Sequence, residues 1–399
     1  MKILNGWRRG HLGEQCSIEI GGTPSRNIPE YWDTSKETSN LWVSIRDLSQ
    51  RITTQTAEHI TDSGVKHSNV KRQPEGTVLL SFKLTIGRVA IAGLPLYTNE
   101  AIAGLRSEGI THEYLYHGLQ QWDLLQGVDQ AIKGATLNKA KLKRIEFDFP
   151  EAKPEQTKIA EILSTVDRAI EQTEALIAKQ QRIKDGLMQD LLTRGIDEHG
   201  NLRSESTHKF KDSPLGRIPM EWEPARIGSA ASLQRGHDIT ECNLQDGPYP
   251  VVSSSGIIGY HNQSTSKGPN VVVGRKGTIG KVHYLDSDFW AHDTSLYVTN
   301  FFGNNAMFIY YLFVHLDLAR FGTKSGSPSL NRNDIHPLLF GLPPPDEQRA
   351  IAKILLLCEA LTESLVRDLD KAKRLKTSLM QDLLTGTKRV TPLLGPAHI

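Results

Sequence analysis

Two glycine-punctuated turns carry the residues best suited to gripping a polyanion. One is FKLTIGRV at 82–89, with Lys83 and Arg88; the other is GRKGTIGKV at 274–282, with Arg275, Lys276 and Lys281. A guanidinium can pair bidentately with guanine and an ammonium can meet a phosphate, so such turns could hold a nucleic acid. A tight turn whose charges are simply hydrated fits the same residues about as well. Ser44 and Arg46 in LWVSIRD, and Ser253 and Ser254 after Tyr249, fall where strands are expected to exit into loops. A basic run at 133–145, KGATLNKAKLKRI, adds Lys133 and Lys139, and Lys324 in GTKSGSPSLN holds a place similar to that of Lys133. Such lysines would neutralise phosphates, and a solvated helix face is the competing explanation.

Catalytic patterns are missing. No GxxxxGK is followed by Ser or Thr, and no glycine fingerprint for a methyl-donor cofactor follows an expected strand. DGPYP at 246–250 lacks the residues of an amino-methyltransferase motif, and the ExK fragment Glu151–Lys153 sits in a proline-rich lead to a helix with no acidic partner upstream. The histidines form no HxxxH or HExxH pair, so no metal site is expected. Cys16, Cys242 and Cys358 are far apart, which argues against a disulfide framework or a thiolate zinc site. The chain reads as a non-catalyst without a cofactor of its own.

The elements that must position the basic turns occur twice. Residues 155–193 align without a gap on 347–385, and 17 of the 39 pairs are identical, including EQ at the start and LMQDLLT at the end. TIGRV at 85–89 matches TIGKV at 278–282, so the repeat extends into the segments ahead of each helix. Heptad spacing runs through Ile159, Val166 and Leu187, and through Ile162, Ala169, Leu176 and Ile183, with equivalents in the second copy. Prolines precede each segment and Gly195 or Gly386 follows it. Thirty-nine helical residues would span roughly 58 Å at about 1.5 Å each.

The segments between the helices mix short strand-like runs (TVLLSF, RVAIAGL, NVVVG, SLYVT) with Gly, Pro and Ser turns and one helical stretch each, near 112–127 and 304–322. The expected organisation is a globular domain over 1–150, a helix over 151–195, a polar linker over 196–212, a second domain over 213–342, a second helix over 343–386 and a tail over 387–399. A net charge of +2, with 18 Lys and Arg against 16 Asp and Glu in 1–150 and 14 against 14 in 194–342, leaves neither half globally basic. Any nucleic-acid site is therefore local. No run approaches the roughly 18–20 apolar residues of a membrane span, and the N-terminus lacks the apolar core of a secretion signal, so cytoplasmic residence is the default expectation.

GGTPS at 21–25, YW at 31–32, LWVSIRDL at 41–48, GRKGTIGKV at 274–282, SPLGRIPMEW at 213–222 and PPPDEQRAIAKIL at 343–355 together resemble the DNA-specificity subunit of type I restriction-modification systems. The resemblance covers nearly the whole chain; the second half departs where LQRGHDITECNL stands in place of GGTP. It implies an α+β fold, with two similar target-recognition domains separated by two long antiparallel, coiled-coil-like helices in a pseudo-two-fold repeat. It also implies a bipartite duplex DNA site, two modification (methyltransferase) subunits and two restriction (motor-nuclease) subunits, with S-adenosylmethionine, ATP and Mg2+ belonging to those partners. Leu187, Leu191, Leu379 and Leu383 are the helix residues expected to dock them. Two other readings stay open: a self-contained restriction or methyltransferase enzyme, and a two-domain protein adaptor that does not touch DNA.

Overall fold

The computed structural model describes residues 4–125, 137–240, 246–322 and 328–394. It divides into two units, one formed by 1–173 with 368–399 and the other by 174–367. Four helices organise the units: α1 (His112–Gln121), α2 (Lys153–Thr193), α3 (Ala306–His315) and α4 (Pro345–Leu384). Among the described residues, no helix is long and apolar enough to cross a membrane.

In unit 1 the strand Trp7–His11 pairs antiparallel with Glu146–Pro150 and brings the two ends of the domain together. A five-stranded sheet contains Val78–Ser81, Val89–Ala92 and Ile102–Arg106, and a second holds Leu41–Val43 and Leu96–Thr98. VLLS and VAIA are buried along their whole length, so continuous apolar runs replace alternation here. Helix α1 lies on these strands through Tyr114, Leu115 and Leu119. The same core takes in Ile159, Ala160 and Leu163 from the first turns of α2, and Met380, Leu383 and Leu384 from the last turns of α4.

Unit 2 repeats this plan. Glu223–Arg226 pairs with Leu339–Leu342, and a four-stranded sheet orders Ser232–Arg235, Ser295–Asn300, Asn270–Gly274 and Val282–Leu285. Helix α3 covers it through Phe308, Tyr311 and Leu312. Leu191 and Leu192 from the end of α2 join Ile351, Ala352 and Leu355 from the start of α4 in that core. The segment 196–212, expected as a plain polar linker, is fastened instead. Ile196 and Arg203 are buried, and Phe210–Ser213 forms a hairpin with Gly216–Pro219.

The repeated Glu-Gln pair explains how each long helix is seated. Gln156 is fully buried; its Oε1 accepts from the Thr111 N–H at the start of α1 (2.8 Å), and its Nε2 donates to the carbonyls of Gly109 and Pro150. Gln348 does the same in unit 2, accepting from the Asn305 N–H (2.9 Å) at the start of α3 and donating to Pro343 O and Asn304 Oδ1. Glu155 accepts from Nε and Nη2 of Arg389 (2.6 and 2.8 Å). Glu347 accepts from the Ile196 N–H (2.9 Å), from Trp222 Nε1 (3.1 Å) and from the Arg203 guanidinium. Each helix start is thus tied to its domain and to the chain that follows the other helix.

A second polar station lies further along. In unit 1, Asp167 of α2 meets Lys376 Nζ of α4 at 2.7 Å and faces His117 of α1 at 3.8 Å. In unit 2, Glu359 of α4 accepts from Lys184 Nζ of α2 (2.8 Å) and from the Tyr311 hydroxyl of α3 (2.9 Å). These contacts run the two helices antiparallel within each unit. Gly195 and Gly386, both at left-handed φ (+63° and +73°), end them where a Cβ would stand 2.5 Å from Trp222 and 3.1 Å from Trp7 respectively.

The heptad pattern is buried only in part. Leu176, Ile183, Leu361 and Leu375 are exposed, so the domains take up the helix ends while mid-helix apolar positions face outward.

Breaking one partner of a buried ion pair strands the other, and Arg203 and Glu347 are each only 8 % exposed at the side chain. Glu347→Gln should therefore lower the unfolding free energy by about 3–5 kcal/mol in denaturant melts. Glu155→Gln should cost less, because the Arg389 side chain is 30 % exposed and water can replace the carboxylate.

Burial holds the His117 imidazole down at about 4, with Lys376 and Arg51 also opposing its charge and Asp167 favouring it. Above about pH 6.5 neither state binds the proton and this stability is complete. As pH falls from about 6.5 to about 4 only the unfolded chain takes it up, so about 3 kcal/mol is lost across that window. His117→Gln should flatten that part of the stability–pH curve; an unchanged slope would contradict the assignment.

Candidate nucleic-acid interface

The two basic turns sit on hairpins paired in the same register. Val78 pairs with Ile91 and Leu80 with Val89, while Val271 pairs with Tyr284 and Val273 with Val282. Every one of these positions differs by 193, so Lys83 corresponds to Lys276 and Arg88 to Lys281. Gly87 and Gly280 close the turns at φ +92° and +76°, and each donates its N–H back to the strand, to Ser81 O and Gly274 O. The turn geometry needs glycine there, which is why the GTIGK and LTIGR runs survive in both copies.

In unit 1 the exposed rim next to the hairpin is organised by one carboxylate. Glu58 accepts from Arg46 Nη2 (2.9 Å) and from both terminal nitrogens of Arg26, and the Arg26 guanidinium lies 3.6 Å from the Trp32 ring centroid. Trp32 stands edge-on to Trp42 at 5.0 Å, and Trp42 donates its indole N–H to Gly22 O. The hydrogen bond from Arg26 holds the Glu58 carboxyl below its ordinary range; burial, the next largest effect, opposes it, and the charges of Arg26 and Arg46 add to the lowering. Arg88 is exposed and reaches the Ile45 carbonyl with Nη1 at 3.4 Å. Lys83 is half-buried, its Nζ 5.4 Å from the Phe82 ring centroid. Arg26, Arg46, Lys83 and Arg88 therefore share one rim, with two guanidiniums fixed in direction by a common acceptor.

In unit 2 the rim has other chemistry. Arg235 pairs with Asp293 Oδ2 at 2.8 Å, while Arg275 donates to the Asp293 carbonyl at 3.2 Å. Lys281 is exposed and its Nζ donates to Ser255 O (3.0 Å). Lys276 is half-buried, with its N–H on Thr294 O. His237, His261, Trp290 and Tyr297 form an aromatic group beside them. Asp238, His292 and Asp293 bring three potential metal-ligating atoms within 4.8 Å of one another, yet Asp293 already serves Arg235.

The remaining residues singled out from the sequence fall in different places. Ser44 is a turn cap, its hydroxyl and N–H both on Asp47 Oδ2 (2.7 and 2.8 Å), so it is committed to the fold. Ser253 and Ser254 are buried; Ser253 Oγ donates to Gly256 O, and the backbone carbonyl of Ser254 accepts from His283. Lys139 is exposed at the start of a short helix, and Lys133 and Lys324 lie outside the described residues. The docking leucines are also corrected. Leu191 and Leu383 are buried in the cores of units 2 and 1, with Leu187 and Leu379 packed against the same cores.

Arg26, Glu58, Arg235 and Asp293 are not legible in the sequence, because their pairing joins residues 32 and 58 positions apart. One local signal exists. Gly21 and Gly236 occupy one structural position, each donating its N–H to the strand ahead (Ile102 O, Ser295 O), and a Cβ on either would stand within 2.5 Å of backbone carbonyl oxygens. LQRGHD therefore keeps the glycine of GGTPSR although the surrounding residues differ.

A family model, type I restriction modification DNA specificity domain, matches residues 5–180 and 219–369. The chain belongs to that family. Among relatives, the type I restriction enzyme MjaIX specificity subunit of Methanocaldococcus jannaschii is 28 % identical across 60 % of this chain, a match that spans 55 % of that relative. The EcoprrI specificity subunit of Escherichia coli is 23 % identical, over 92 % of this chain and 90 % of its own. The fold is similar to the crystal structure of the type I S subunit from M. genitalium, with TM-score 0.63 at 16 % identity, covering 96 % of this chain and 98 % of that one. A chain from a study of complex assembly and conformational transition in a type I R-M system gives 0.58 at 15 % identity, covering 97 % and 99 %. As a type I specificity subunit, the protein is a recognition chain and not a catalyst, with two domains of mixed helix and sheet and two long helices.

Proposed function

We propose that this specificity subunit reads a split sequence in duplex DNA, one part with each unit, and that modification and restriction subunits assemble on it. The observation that carries the reading is the repeated hairpin. One frame, in register at an offset of 193, presents Lys83 and Arg88 beside Arg26 and Arg46 in unit 1, and Arg275, Lys276 and Lys281 beside Arg235 in unit 2. Guanidiniums oriented by a carboxylate suit base edges, and the freer lysines suit phosphates. Different side chains on one frame are what two different half-sites require.

The gap between the half-sites is assigned to α2 and α4, the elements common to both units. The exposed Leu176, Ile183, Leu356, Leu361 and Val366 are the helix surface assigned to the modification subunits, in place of the leucines consumed by the cores. S-adenosylmethionine, ATP and Mg2+ are then requirements of the partners, and the complex works in the cytoplasm, where its DNA is.

Binding of a labelled duplex by the full chain should weaken steeply with salt, by a log–log slope of about 0.9 per phosphate neutralised. Replacing 213–342 by the matching domain of a relative should change one half of the selected sequence and leave the other. A chain that shows no salt-dependent duplex binding is a protein adaptor, and loss of both halves on exchange would contradict independent reading.

A further inference from the structure

The hairpin tip of unit 1 carries a leucine where its counterpart carries glycine. Leu84 corresponds to Gly277 in the shared register, and both hold left-handed backbone, φ +61° and +77°. For glycine that conformation is free; for leucine it is strained. No burial offsets the strain, because Leu84 is 88 % exposed.

The turn is also held stiffly. Ser81, fully buried, donates its hydroxyl to Thr85 O (2.5 Å) and accepts the Arg88 N–H at the same oxygen (2.9 Å), while its carbonyl takes the Gly87 N–H. In the second hairpin Gly274 replaces Ser81, so this side-chain clamp belongs to unit 1 alone. A clamped turn projects an apolar side chain into solvent between Lys83 and Arg88, and Arg88 reaches the short turn that bears Arg46.

We propose that Leu84 is a specificity-determining residue, an apolar contact that seats against the bases of duplex DNA while the surrounding cations hold the backbone. The occupant follows from the charge on the same turn: an apolar tip flanked in the hairpin by Lys83 and Arg88, with Arg88 reaching the turn that bears Arg46, matches a polyanion whose only apolar surface is its base stack and thymine methyls. The assignment rests on the DNA-recognition reading and gives the half-site of unit 1 a contact that unit 2, with Gly277, does not have.

The test uses the full chain and a library of random-sequence duplexes, followed by affinity measurements on the selected duplex. Leu84→Gly relieves the backbone strain, so it keeps or improves the fold, as its thermal melt will report. It should nevertheless lose about 10-fold in affinity, with bases in one half-site no longer selected, the other half unchanged and the salt slope unchanged. Leu84→Met, which keeps an apolar side chain of similar reach, should stay near wild type. Leu84→Gly binding like wild type, or Leu84→Met failing as badly as glycine, would overturn the proposal while leaving DNA recognition in place. If the wild-type chain selects no sequence, the recognition reading falls and this assignment falls with it.

Discussion

The carboxylate buried at the first turn of each long helix is the constraint on which the rest depends. Glu155 and Glu347 are each nearly out of solvent, and each is answered by a guanidinium that arrives from beyond the end of the other helix. Such a pair adds little net stability, because desolvating both ions offsets most of their attraction. What it does is exclude alternatives: any slip of one helix against the other would bury a charge without its partner. The neighbouring glutamines apply the same logic to the domains, since Gln156 and Gln348 accept the N–H of Thr111 and of Asn305 at the starts of α1 and α3. Helix register and domain seating are fixed within each unit by one dipeptide.

A frame fixed in this way leaves the outer loops free to differ. The stations at Asp167 and Glu359, the glycines at 21 and 236 and the closing glycines of the two hairpins recur in both units. On the rim itself the hairpin cations Lys83 and Arg88 have counterparts in Lys276 and Lys281, but their surroundings differ: in one unit Arg26 and Arg46 share Glu58, with Arg26 over Trp32, and in the other Arg235 pairs with Asp293 beside histidines. The proposed reading of two unlike half-sites with one fold needs this division.

The sequence displays the frame more clearly than the rim, for physical reasons. EQ, IAxIL and LMQDLLT are legible because burial and helix periodicity act on neighbouring residues and are written twice. The TIGRV and TIGKV echoes are legible because left-handed turns admit few residues besides glycine. The arginine–carboxylate pairs are invisible, since nothing local to Arg26 announces Glu58. Ser44, Ser253 and Ser254 show the converse: their types suit DNA contact, but their hydroxyls or backbone are spent inside the fold. Leu191 and Leu383 read as unpartnered because heptad spacing cannot say whether an apolar face meets its own domain or another protein. Only the exposure of Leu176, Ile183 and Leu361 resolves which part of the stripe is left open.

The most direct measurement of the central claim is a map of adenine methylation on genomic DNA from cells that co-express this chain with a type I modification subunit. The account predicts methylation at one split sequence, two short specific halves separated by a gap of fixed length. A stable complex with methylation at an unsplit sequence, or with none that depends on this chain, would contradict it.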